Sequence, residues 1–227
     1  MQRNQSGFTL VEIAIVLVIV GLLLGGILKG QELVQNAKVR NVADQQNAIK
    51  AAYYAFQDRY RALPGDYAAA GTNIPNVAAA TNGDGNAQIT GNEPVFAWHH
   101  LTNAGFISCS QCAAQSAAPA AATALNSPVN ANGGVMSIVF DNVYQDALAA
   151  PTQNNNLKSG TQIPSNLLAE VDRKIDDGNP QTGALRFSVF NAGGGVAPAP
   201  LTCLIAGPPV AWQVQNPDAN CGAANLF

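Results

Sequence analysis

Charge is scarce in this chain. Lys, Arg, Asp and Glu make up 11% of its 227 residues, with 11 basic against 14 acidic side chains. A surface that grips nucleic acid needs a basic face, and none is supplied here. Histidine is limited to the adjacent pair His99 and His100. Neighbouring positions on a helix point in different directions, so a zinc site on this pair is not expected, and the two read as surface or core polar residues. No Ser/His/Asp or Cys/His spacing emerges, and the chain does not read as an enzyme. The hydrophobic content of 48% is inflated by alanine, and beyond the N-terminal stretch Ala, Asn, Gly and Pro dominate. Such a composition describes one domain with few large core residues and much loop.

What the chain does have is a long uncharged run. Ile13 to Leu28 carries no charge, and from Phe8 the apolar segment is 21 residues long. As a helix it would span ~31 Å, the thickness of a bilayer's hydrocarbon core. Glu12 alone interrupts it. A carboxylate in hydrocarbon costs roughly 2.5 kcal/mol unless it finds a partner, which marks it as functional. A secretory signal peptide would be shorter and would end in a small-residue cleavage site. This run instead continues into Lys29-Gly30-Gln31-Glu32. A cut after Gly7 would leave Phe8 with a free α-amino group four residues from Glu12, on the same helix face. The acid then has a cation to meet, its own or a neighbour's.

Met1 to Gly7 followed by Phe8-Thr9-Leu10-Val11-Glu12-Ile13 resembles the leader and mature start of type IV pilins and of type II secretion pseudopilins. The resemblance covers about the first fifty residues. It implies that a prepilin peptidase cuts after Gly7 and that the new N-terminus at Phe8 is methylated. It further implies that Glu12 pairs with the N-terminus of an adjacent subunit during assembly. Arg3 in the leader would hold the cytoplasmic side. Relatives often carry a proline in the apolar segment, whereas here the first is Pro64. Gly21, Gly25, Gly26 and Gly30 either soften the helix or allow close helix packing.

The helical period continues past the apolar run. Val42, Ile49, Tyr53, Phe56 and Tyr60 form a stripe among charged positions, so one helix of ~80 Å is expected from Phe8 to about Arg61. Leu63-Pro64-Gly65-Asp66 should stop it. The expected organisation is a leader over 1–7, a long helix over 8–61 with 8–28 in the membrane, and a head over 62–227.

Within the turn-rich stretch that follows, Asn82 to Glu93 has calcium-loop spacing. Asn82, Asp84 and Asn86 stand at positions one, three and five, the backbone of Gln88 at seven and Glu93 at twelve. Asn82 replaces the usual aspartate, and Ala87 sits where the sharp turn wants glycine. The simpler reading is a pair of Asn-Gly and Asp-Gly turns. A structural calcium here is the one cofactor considered. Beyond it, Glu93 to Ala104 reads as a short helix with Phe96, Trp98 and Leu101 as core contacts. A second helix starts with Ser165 as its cap, and the acids at Asp172 to Asp177 read as its ordinary end. Val135–Phe140, Leu185–Phe190 and Pro209–Val214 read as strands. Residues 113–124 form a low-complexity loop.

Four cysteines on an exported chain suggest disulfides and allow three pairings. Cys109–Cys112 and Cys203–Cys221 are expected, the second because it resembles the C-terminal disulfide loop of many pilins. It would contribute ~3 kcal/mol by chain entropy.

The expected fold class is α+β and pilin-like: a long N-terminal helix, half apolar and half amphipathic, on a small antiparallel sheet with long irregular loops. The expected function is structural, a subunit that polymerises through its helix into a type IV pilus or related envelope filament. Its partners would be copies of itself or related subunits, the prepilin peptidase and an inner-membrane assembly platform. It would sit in the inner membrane before assembly and in a periplasmic or extracellular filament afterwards. A pseudopilin or minor tip subunit of a secretion or DNA-uptake machine is the alternative within the class. A membrane-tethered, adhesin-like protein that never polymerises is the alternative outside it.

Overall fold

The computed structural model describes residues 9–115, 119, 121–147 and 150–227. One continuous helix, α1, runs Leu10–Tyr60. Its stop differs from the expected one in detail. Arg61 takes a left-handed backbone conformation (φ 54°), and its amide donates to the Gln57 carbonyl at 2.9 Å, before Pro64 is reached. This is the cap that glycine usually makes, formed here by arginine.

The helices that follow are α2 (Ala70–Asn73), α3 (Glu93–Asn103), α4 (Ser165–Ile175) and α5 (Pro200–Cys203). The strands are β1 (Ser137–Asp141), β2 (Asn154–Lys158), β3 (Leu185–Phe187), β4 (Leu204–Ile205), β5 (Ala211–Trp212) and β6 (Ala223–Leu226). Four of them make an antiparallel sheet in the order β1-β2-β6-β3, while β4 and β5 form a separate ribbon. Lys158 stands opposite Ser137 on one side and Ala224 on the other, and Ala224 in turn opposes Arg186. The α+β architecture is therefore a long N-terminal helix with a small antiparallel sheet.

The chain divides into two compact units, Met1–Lys38 and Val39–Phe227. The division falls inside α1 because its second half belongs to the core of the head. Ile49, Ala52, Tyr53 and Phe56 are buried with Trp98 and Leu101 of α3, Ile138 of β1 and Leu157 of β2. Val42 and Ala43 are buried with Leu168 and Val171 of α4, Phe187, Trp212 and the sulfurs of Cys203 and Cys221. Of the stripe expected from the sequence, Val42, Ile49, Tyr53 and Phe56 are buried and Tyr60 is half-buried. Tyr53 also stacks on Phe227, ring centroids 4.0 Å apart. Lys50 donates to the Leu226 carbonyl at 2.7 Å, tying β6 to the helix.

Several local expectations shift. Ser165 is the first residue of α4, after Pro164, and makes no cap. Its hydroxyl donates to the Gln213 carbonyl at 2.6 Å and accepts the Asp218 amide. The strand expected over 185–190 stops at Phe187, and that over 209–214 shrinks to Ala211–Trp212. Strands β2, β4 and β6 were not expected at all.

Candidate functional site

Every Leu, Ile and Val from Leu10 to Leu28 is exposed, from 44% at Val20 to 90% at Leu10. An amphipathic helix hides one face, but this half of α1 is apolar on all of them. Among the described residues it is the one helix long and apolar enough to cross a membrane by length and composition.

Glu12 stands at the start of this surface. The Thr9 amide donates to Glu12 Oε2 at 2.8 Å and the Thr9 hydroxyl to the same oxygen at 2.9 Å, while the Glu12 amide donates back to Thr9 Oγ1 at 3.3 Å. This is a capping box, in which a Thr and a Glu three residues later satisfy each other's orphan amides. The Thr-x-x-Glu spacing was legible in the sequence and went unread there. The second oxygen, Oε1, makes no hydrogen bond with a described residue. The box thus aims the carboxylate while leaving half of its acceptor capacity open. Gly7 and Phe8, where cleavage and methylation are expected, lie outside the described residues.

The loop over 82–93 is organised differently from an ion-centred one. Its amides converge on Asp66, a residue the spacing gave no reason to include. Asp66 Oδ1 accepts Gly85 at 2.7 Å and Asn86 at 3.0 Å, and Oδ2 accepts Ala87 at 2.8 Å. Gly83 is required where it is, since a Cβ there would overlap the Asp66 backbone. Of the proposed ligands, Asp84 and Glu93 come together with Asp66, their oxygens within 4.8 Å of one another. The other two side chains turn elsewhere: Asn82 Oδ1 accepts the Gly71 amide and Asn86 Oδ1 the Gln88 amide. The Glu93 carboxylate accepts Asp84 at 3.0 Å and Thr90 at 2.9 Å. Burial pushes the carboxyls of both Asp66 and Glu93 up, against the pull of these amides. Ala87 adopts φ 65°, the conformation that would favour glycine at this position.

Both histidines are buried on α3. His100 Nδ1 accepts the Gly65 amide at 3.0 Å, and its Nε2 faces the Thr81 carbonyl at 2.9 Å, so that nitrogen carries the proton. A second proton would put an N–H against the Gly65 N–H. Burial draws His100 down to about 4. Lys158 is buried too, donating to Asp141 Oδ1 at 2.7 Å and to the Val143 carbonyl, with the Phe190 ring 5.1 Å away. Burial draws its ammonium down to about 8, against the pull of Asp141. Cys109–Cys112 and Cys203–Cys221 are bridged, with Cα separations of 5.2 and 5.8 Å.

No curated protein and no solved structure matches the chain. One family model does, and its reach is short. Residues 2–28 match the prokaryotic N-terminal methylation motif, so the chain carries at its N-terminus the leader of type IV pilins and pseudopilins.

Proposed function

We propose that this chain is a structural, pilin-like subunit that polymerises through the first half of α1 into an envelope filament. The observation that carries the reading is the apolar surface exposed on every side from Leu10 to Leu28, within the stretch that matches the methylation motif. Each such side chain gains roughly 1.5 kcal/mol or more on leaving water. Lipid meets that demand before assembly, and the same segments of neighbouring copies meet it afterwards. Exchanging lipid for protein is nearly neutral for apolar groups, so the direction of assembly has to come from elsewhere. Glu12 supplies it: in hydrocarbon a carboxylate with an open oxygen is unfavourable, and an α-amino group freed by cleavage before Phe8 removes the penalty. The pair also fixes the axial register of each added subunit.

Glu12→Ala in a host that assembles the wild-type chain is the test. Sheared filaments should disappear while the cleaved, disulfide-bonded subunit accumulates in the membrane. Filaments forming at the wild-type rate would refute the reading and leave a tethered protein. Mass spectrometry of the mature chain should give a methylated Phe8 as its first residue.

A further inference from the structure

One face of the sheet carries a buried cation that the proposed assembly does not use. The side chain of Lys158 on β2 is 1% exposed and that of its partner Asp141 on β1 is 14% exposed. In the β1–β2 register Lys158 stands opposite Ser137 and Asp141 opposite Asn154, with the Val139–Asn156 pair between them. These positions alternate onto one face, away from Ile138 and Leu157, which are buried with α1. The Lys158 side chain therefore crosses diagonally past Asn156 to bring Nζ within 2.7 Å of Asp141 Oδ1. The rings of Tyr144 and Phe190, centred 5.7 and 5.1 Å from Nζ, flank it. An ion pair alone does not account for how the carboxylate is held. Oδ1 accepts three N–H groups, from Lys158, from Asn156 Nδ2 at 3.0 Å and from the Val143 amide at 3.1 Å. Oδ2, equally removed from solvent, has no hydrogen-bond partner among the described residues, which is uncommon for a buried carboxylate oxygen.

We propose that Lys158 and Asp141 react in the folded head to form an intramolecular isopeptide bond, from Nζ to Cγ, that joins β1 to β2. With Nζ at 2.7 Å from Oδ1, the nitrogen lies next to Cγ, near the roughly 3–3.5 Å from which a nucleophile attacks. Burial draws the Lys158 ammonium down to about 8, so part of it is the neutral, nucleophilic amine near neutral pH. The ammonium first gives a proton to the carboxylate. The amine then adds to Cγ, and the negative charge developing on Oδ1 meets the Asn156 and Val143 N–H groups, which form an oxyanion hole. Oδ2 is the leaving oxygen, which no donor holds in place. The Nζ–Cγ bond forms, the Cγ–Oδ2 bond breaks, and one water departs with both of its hydrogens taken from Nζ. Nothing is oxidised or reduced, and no co-reactant is consumed. Two buried charges become one neutral amide, which removes the desolvation penalty of the pair. Asn156 is not the acceptor, because its own Oδ1, also buried, has no donor to receive the charge.

The experiment is mass spectrometry of the full chain, folded in detergent, then denatured, reduced and digested with trypsin. Trypsin needs a free ammonium at Lys158, and the sequence has no other Lys or Arg between Arg61 and Arg173. The expected product is a fragment over residues 62–173, uncut at Lys158 and lighter by one water, whose fragmentation places the link between Asp141 and Lys158. Asp141→Ala should restore the cut at Lys158. Asn156→Ala removes an oxyanion donor without touching either reacting group, and should slow formation of the link by roughly tenfold or more after refolding from denaturant. Full cleavage at Lys158 in the folded wild type would overturn the assignment and leave the two residues as an ion pair. A link lighter by ammonia instead of water would also overturn it, because an asparagine would then be the acceptor. A link that persists in Asp141→Ala, or an unchanged rate in Asn156→Ala, contradicts the roles given to those residues.

Discussion

Residues 10–38 and 39–60 share one unbroken helix and differ in what surrounds them. Leu17 is 66% exposed, whereas Phe56 is completely buried in the core that includes Trp98 and Leu101, with the rings of Tyr60 and Tyr67 against it. Backbone geometry and apolar character are common to both halves, so neither decides the outcome. What differs is the supply of partners. The second half receives α3, α4 and the sheet from its own chain, while the first receives nothing from the described residues and must be covered from outside. Fold stability rests on the second half of the helix and, in the proposed function, assembly on the first, so each should be open to disturbance with little effect on the other.

Phe56→Ala should break the comparison from the buried side. Loss of a fully buried aromatic costs about 3–5 kcal/mol, and denaturant unfolding of the head should register it directly. A change of less than about 1 kcal/mol would mean that the helix does not organise this core.

Acid should also act on the second unit. His100 has a folded pKa of about 4, below the usual 6.5, so the unfolded chain binds its proton first. Its contribution, about 3 kcal/mol, is present above pH 6.5 and lost as pH falls towards 4. Asp172 runs the other way. Its folded pKa of about 6 lies above 3.8, so its ionisation weakens the fold as pH rises from about 4 to 6. The two partly cancel in the wild type. In Asp172→Asn, thermal melts should therefore lose stability more steeply between pH 6.5 and 4, and equal slopes would contradict the opposing signs.

Smaller effects sharpen the contrast. Ala87→Gly removes the cost of a left-handed alanine and should stabilise the head by about 1 kcal/mol in the same unfolding assay. Leu17→Ala should leave head stability unchanged within about 0.5 kcal/mol, because nothing in the described structure packs on it.

The extent of α1, its buried stripe, α3, α4 and the Cys109–Cys112 bridge were legible because each rests on local pattern: a helical period, a stop signal or a short spacing. The Cys203–Cys221 bridge was expected from the resemblance to pilins. What was illegible depends on distant partners. Asn154-Asn155-Asn156 reads as loop, since asparagine is a poor strand former. It becomes β2 because β1 and β6 flank it and Asn156 donates to Asp141 Oδ1 at 3.0 Å. Asp66 looked like part of a helix stop, and only the fold shows its carboxylate gathering three amides from a loop some twenty residues away. Asp172 looked like one acid among several at a helix end. Its burial beside Trp212 needs a ribbon strand that closes forty residues later. Glu12 stood out for its unfavourable setting, and the box it makes with Thr9 came from the structure.

The sheet order carries a consequence for how the protein is made. β6, the last strand along the chain, lies in the middle, and β3 has no other neighbour in the sheet. Until β6 has left the ribosome, β1 and β2 are an isolated hairpin and β3 is a strand without a ladder. The sheet of the head therefore closes late in synthesis, whereas the apolar half of α1 is among the first residues to emerge.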